Sequence, residues 1–324
     1  MNSPSFVNYA FYQFAKISDR GSTKYALIEA GRQSPSVRGT VLVTPEGINA
    51  YFAGLIDDMS RFLDAIKAIP GCQGIEPKIS YSEQNPFRRL VIKNKAETIG
   101  LGVAGLDPTQ VTGHYLKPLE FKKWMDENPN DFILVDTRND YEVAIGTFEG
   151  AINPKISHFK EFPKWLEENL SHAKDKKIVT FCTGGIRCEK ATSYMVQNGY
   201  KDVYQIEGGI LKYLEETHDA KEQNHWNGDC FVFDHRVAVD KDLAPAGQHL
   251  CFACWAVLEE KDLAKAQYKK GEHCPHCYAR QMEKRNTQAR LAQERRSKRL
   301  EVSRQKAQAI RQTLGLGQPR EHAQ

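Results

Sequence analysis

No stretch of this 324-residue chain reaches 18 apolar residues in a row, so the sequence offers no candidate membrane helix. Its first residues, MNSPSFVNYAFYQF, lack a basic start, a long apolar segment and a small-residue cleavage site, and read as no signal peptide. The cysteine pattern of a secreted disulfide scaffold is missing too. Most of the eight cysteines fall into small groups: Cys182 with Cys188, and the pairs Cys251/Cys254 and Cys274/Cys277. Without an export signal, such usage points to catalysis and metal binding in a reducing compartment, so the expected location is the cytoplasm. Gly100-Leu-Gly-Val-Ala-Gly105 spells the dinucleotide fingerprint, yet no strong strand leads into it and Leu106-Asp-Pro108 follows where a helix should open. It reads as a Gly-rich linker. A two-His-one-carboxylate iron site is not discernible either.

What is present is an ordinary globular mixture, 40% hydrophobic and 27% charged, long enough for two or three domains. The net charge of +4 is unevenly placed. Between Arg280 and Arg311 stand eleven Lys/Arg against three Glu, a surplus of eight, which leaves about −4 on the rest. A basic tail on a mildly acidic body suggests an anionic partner.

The first hundred residues read as β-α-β-β-α-β. Strands are expected at 7–14, 40–44 and 48–52, the last two around the turn Pro45-Glu46-Gly47, and helices at 23–32 and 57–69. Either 78–81 or 90–93 supplies the last strand, completing a ferredoxin-like plan. From residue 115 the pattern changes to apolar strands at 132–135, 178–181 and 203–206, alternating with helices at 119–125, 162–170, 188–198 and 210–216. Such alternation argues for a parallel sheet covered on both faces. Short strands are expected over 226–239 and one polar helix over 278–312, with 315–324 unstructured. The expected division is thus α+β domain 1–100, linker 101–114, α/β domain 115–224, cysteine-rich segment 225–280, and basic helix with tail 281–324.

The strand Lys177-Ile-Val-Thr-Phe181 runs straight into Cys182-Thr183-Gly184-Gly185-Ile186-Arg187 and then a helix. Loops of this kind lie at the carboxyl ends of parallel strands, where sites form. Two glycines let the backbone curl so that N–H groups face the sulfur, with the helix N-terminus and Arg187 beside it. Those surroundings favour a thiolate. Cys188, directly after Arg187, is either a resolving thiol or a packed helix residue.

Upstream lies Val135-Asp-Thr-Arg-Asn-Asp-Tyr-Glu142, then Gly146-Thr-Phe-Glu-Gly-Ala-Ile-Asn-Pro154. Together with the cysteine loop and Gly208-Gly209, these residues resemble the rhodanese family. The resemblance implies that Asp136, Arg138 and Glu142 support the active site, although Asp136 and Arg138 alone would pass for an ordinary strand-end ion pair. Four residues between Cys182 and Arg187 resemble sulfur carriers; cysteine phosphatases that share the architecture have five.

Cys251-Phe-Ala-Cys254 and Cys274-Pro-His-Cys277, nineteen residues apart, have the spacing of a closed four-thiolate zinc site. His249, His273 and His276 lie nearby but are not needed. Cys72 and Cys230 read as packing residues. The tail cations Arg280, Lys284, Arg285, Arg290, Arg295, Arg296, Lys298, Arg299, Arg304, Lys306 and Arg311 form either a solvated helix or a phosphate-binding one.

Asp136-Thr-Arg-Asn-Asp-Tyr-Glu142, CTGGIRCEK, Gly208-Gly-Ile-Leu-Lys-Tyr-Leu-Glu215 and Cys230-Phe-Val-Phe-Asp-His-Arg-Val-Ala-Val239 resemble, as a set, the bacterial tRNA uridine hydroxylase family over about residues 5–280. The resemblance implies an acylphosphatase-like N-terminal domain, tRNA as substrate, and oxygen-dependent hydroxylation of the wobble uridine at carbon 5. It further implies a persulfide on the catalytic cysteine, matched by Cys182. Two rival readings stay open, a plain sulfurtransferase and a non-enzymatic tRNA- or protein-binding module. The oligomeric state is not readable.

Overall fold

The computed structural model describes residues 6–218, 224–234, 236–251 and 253–313. His235 and Phe252 of the quoted motifs, the Arg304 and Arg311 side chains, and the end 315–324 lie outside the described residues. The chain divides into two compact units, up to Gln248 and from His249.

The N-terminal part of the first unit contains β1 (Phe6–Phe14), α1 (Arg20–Arg32), β2 (Arg38–Thr44), β3 (Gly47–Gly54), α2 (Ile56–Lys67), β4 (Lys78–Ser82) and β5 (Leu90–Asn94). Both candidate last strands form. β4 pairs antiparallel with β1 and β5 parallel with β2, giving the order β4-β1-β3-β2-β5. The first four strands have the ferredoxin-like arrangement, and β5 extends it by one edge. Period-two alternation decides the core: Val7, Tyr9 and Phe11 on β1, with Phe52 on β3, face Met59, Phe62 and Ile66 of α2. The other sheet face carries Ala10, Tyr12, Asn49 and Tyr51, and it lines a cavity.

The chain continues with β6 (His114–Leu116), α3 (Pro118–Glu127), β7 (Ile133–Asp136), α4 (Asp140–Val143), β8 (Gly146–Phe148), α5 (Phe162–Leu170), β9 (Lys177–Phe181), α6 (Ile186–Gln197), β10 (Asp202–Ile206) and α7 (Gly209–Thr217). Strands β6-β10-β9-β7 make a parallel sheet with a core on each face, as apolar runs such as Ile178 to Phe181 require. The expected linker is packed rather than loose, with Leu101 and Leu106 buried in one of these cores.

The expected boundary at 225 is corrected by the packing. β11 (Trp226–Gly228) pairs with β8, and Cys230, Val232 and Val239 from β12 (Cys230–Phe231) and β13 (Ala238–Val239) lie in the core of the parallel-sheet domain. These residues are too apolar to stand apart, so the division falls after Gln248. The second unit holds β14 (His249–Leu250), β15 (Val257–Leu258), α8 (Glu260–Leu263) and α9 (Tyr278–Thr313). No described helix is long and apolar enough to cross a membrane.

Candidate active site and cysteine cluster

The loop after β9 is held from below by α7. The Ile210 and Leu211 N–H groups donate to the carbonyls of Cys182 and Thr183 at 3.0 and 3.1 Å. That approach requires Gly209, since a Cβ there would lie 2.4 Å from the Cys182 carbonyl oxygen. Gly185, with φ 98°, turns the chain into α6 and aims its N–H at Cys182 Sγ, 3.1 Å away. Thr183 adds a bond to the Phe231 carbonyl at 3.4 Å.

Cys182 is almost fully buried. Burial by itself would raise its thiol pKa, but a hydrogen bond from Cys188, the charge of Arg187 and the N–H groups of Arg187 and Cys188 outweigh it and hold the thiol well below its ordinary value. Cys188 moves the other way: burial and its neighbour's charge push it up, leaving it a protonated donor that also contacts Thr137 Oγ1 at 3.6 Å.

The rhodanese-type charges form two buried pairs. Arg187 makes a two-pronged bond to Glu142 at 2.6 and 2.7 Å, and Glu142 also accepts from the Asn139 N–H. Arg138 grips Asp136 at 2.6 and 2.9 Å, donates to the Gly146 carbonyl, and lies 5.4 Å from the Trp226 ring. Asp136 and Arg138 are wholly buried, not an exposed strand-end pair, and their bonds run to β8 rather than to Cys182. Removing one partner from such a pair typically destabilises by about 3–5 kcal/mol, because the other charge is left buried alone.

Cys182, Thr183, Gly184, Ile186 and Arg187 line a cavity of about 860 Å³ whose opposite wall is the open face of the N-terminal sheet. Tyr12 and Lys78 come from that wall, and Glu189 and Lys190 from α6; the sequence alone marks none of the four as a site residue. Tyr12 bonds Glu189 at 3.1 Å, and its hydroxyl stands 2.8 Å from where a Gly185 Cβ would be. Glu189, buried in α6, also accepts from Tyr115 and Gln205, and burial raises its carboxyl pKa. Lys78 reaches from β4 to the Gly208 carbonyl; burial brings its ammonium pKa down to about 8 against the opposing pull of Cys182. Lys190 of α6 is buried between Glu46 at 3.0 Å and Glu97 at 2.6 Å. Glu189 and Lys190 close the run CTGGIRCEK, whereas Tyr12 and Lys78 have no sequence signal beyond polarity at alternate strand positions.

In the second unit the sulfurs of Cys251, Cys254, Cys274 and Cys277 all lie within 4.8 Å of one another. The Cys251–Cys277 and Cys254–Cys274 separations are 3.8 and 3.6 Å. A tetrahedron of thiolates about 2.3 Å from a zinc ion has edges of about 3.8 Å, so the four cysteines fit a structural metal. Cys277 Sγ accepts the Cys274 N–H at 3.3 Å, a further stabilisation of negative sulfur. The histidines are engaged elsewhere: His249 with Glu260, His273 with the Gln267 carbonyl and His276 with Asp262.

Residues 6–98 match the UPF0176 acylphosphatase like domain, and residues 117–216 match the rhodanese-like domain. Among solved structures, a rhodanese-like domain protein of Staphylococcus aureus is 28% identical, covering 31% of this chain and 90% of that one, with a TM-score of 0.27. A rhodanese-like domain of Anabaena is 16% identical over 35% and 78% of the two chains, with a TM-score of 0.29. A curated relative from Acaryochloris marina, the tRNA uridine(34) hydroxylase, is 42% identical over 303 residues, 94% of this chain and 95% of its own. Identity at that level, sustained across nearly the whole of both chains, makes this protein a member of the tRNA uridine(34) hydroxylase family.

Proposed function

We propose that this enzyme hydroxylates the wobble uridine of tRNA at carbon 5, with molecular oxygen as co-substrate and Cys182 as its reactive centre. The nearly full-length match to a tRNA uridine(34) hydroxylase carries the reading. The cavity supports it: a buried sulfur with a lowered pKa faces a space at the upper end of the range for small-molecule sites.

In this reading the Gly185 N–H, the N-terminus of α6 and Arg187 hold an anionic sulfur, either a thiolate or a persulfide carried on it. Glu142 orients Arg187, while Asp136 and Arg138 brace the floor beneath the loop. Cys188 keeps its proton and donates it to Cys182 as a hydrogen bond. The four clustered cysteines would hold a structural zinc, which supplies folding energy and no chemistry. α9 offers its cations to tRNA phosphates, and the setting is the cytoplasm.

Mass spectrometry of tRNA nucleosides from a deletion strain tests the activity. Loss of 5-hydroxyuridine, restored by the wild-type gene and not by Cys182→Ser, is the expected result. Loss of a thiolated uridine instead would establish the sulfurtransferase reading, with which the four-residue spacing from Cys182 to Arg187 is equally compatible.

A further inference from the structure

The cavity that holds Cys182 extends well beyond it across the open face of the N-terminal sheet. Residues directly opposite in antiparallel strands share a face. The register pairs Ala10 with both Lys78 and Tyr51, and Tyr12 with Asn49, so Lys78, Tyr12 and Tyr51 all face the cavity. Lys78 and Tyr51 stand two strands apart across Ala10, about 10 Å at the usual strand spacing. Lys78 lies over the cysteine loop, so Tyr51 lies about one nucleotide's reach to its side.

Beside Tyr51 is Phe87, with ring centroids 6.0 Å apart and planes inclined at 42°. Both rings are half-buried and both line the cavity. The exposed Lys95 and Lys160 line the same cavity and, like the exposed Glu76, make no ion pair among the described residues, whereas Glu97 and Asp234 on the wall are already paired with Lys190 and Arg236. The result is an aromatic platform in a wall with two unpaired lysines against one unpaired carboxylate, in the same cavity as the reactive thiol. Tyr51 sits on the central strand β3 and Phe87 in the loop between β4 and β5. Aromatic residues exposed on a sheet face are a common device for stacking unpaired RNA bases, and stacking tolerates any base.

We propose that Tyr51 and Phe87 form a stacking subsite for a nucleotide flanking the target uridine, with Lys95 taking its phosphate. The inference rests on the proposed tRNA substrate. It gives the N-terminal domain a defined part in substrate recognition: the flanking base is held on the sheet while the target base turns toward Cys182.

Binding of a fluorescent anticodon stem-loop RNA to the full-length protein tests it. Tyr51→Ala and Phe87→Ala should each weaken binding on the order of tenfold, while Tyr51→Phe and Phe87→Tyr preserve it. An RNA made abasic on one side of the target should bind the wild type correspondingly less well, with no further loss in Tyr51→Ala. Lys95→Gln should reduce the log–log salt slope by about one phosphate contact. Unchanged affinity in the Tyr51→Ala/Phe87→Ala double variant, or an abasic effect that simply adds to Tyr51→Ala, overturns the subsite. A wild-type protein that binds no RNA overturns the subsite and the substrate assignment together. Intact aromatic dependence without formation of 5-hydroxyuridine supports the subsite and overturns only the activity.

Discussion

Cys182 and Cys277 each accept a backbone N–H in a tight turn, at 3.1 and 3.3 Å, yet the regions around them hold together for different reasons. The Cys182 loop sits on a parallel sheet with large apolar cores, and its shape is set by Gly209, by α7 and by the buried Arg187–Glu142 pair. Its sulfur is not needed to hold that shape. Around Cys277, the buried apolar cluster consists of Cys251, Cys274, Cys277 and Leu258, so the thiols themselves are most of the core. A cysteine can be spared for chemistry where packing already fixes the backbone; where packing is thin, the cysteines must do the fixing.

The sharpest test of that contrast is Cys182→Ser, expected to abolish hydroxylation while leaving the thermal unfolding temperature essentially unchanged. A serine hydroxyl has neither thiolate character nor the capacity to hold a persulfide. Cys188→Ser keeps a hydrogen-bond donor beside Cys182 and should be milder. Equal loss in both variants would point to a two-thiol mechanism.

Metal removal should do the reverse. The purified protein is expected to contain about one zinc per chain, and chelation or Cys254→Ser should expose residues 249–277 to proteolysis while the parallel-sheet domain stays protected. Metal analysis that finds no zinc, or iron in its place, would break the comparison.

A smaller effect is expected from Lys78. Burial lowers its pKa to about 8, so its positive charge is complete below that pH and is lost as pH rises through it. Alkylation of Cys182 by iodoacetamide, followed by mass spectrometry, reads the thiolate directly. Lys78→Gln should move the onset of alkylation to higher pH by removing a nearby cation, and Lys78→Arg should restore it. Identical profiles in all three proteins would remove Lys78 from the site.

The smallest expected change concerns α9, whose proposed part is affinity rather than chemistry. Truncation after Ala279 should weaken binding to all tRNAs alike and flatten the salt dependence, leaving the choice of uridine intact. An unchanged slope would mean that the helix is merely solvated.

What the sequence by itself determined are features written into short spans. The apolar run Ile178 to Phe181, the four residues from Cys182 to Arg187 and the glycines at 208 and 209 specify a buried strand, a curled loop and a helix start. The CxxC spacings likewise bring paired sulfurs to one point with little help from elsewhere. Only the tertiary structure decided what stands opposite the thiol. Tyr12 and Glu189 are 177 residues apart in sequence, and Lys78 and Gly208 are 130 apart. Their meeting depends on strand register and on Lys190 bridging Glu46 and Glu97, which no local period encodes. The same holds for Trp226, Cys230, Val232 and Val239, which read as part of a separate segment until the pairing of β11 with β8 placed them in the core. Local spacing sets the conformation of a loop, whereas the far wall of a cavity is set by how whole sheets pack.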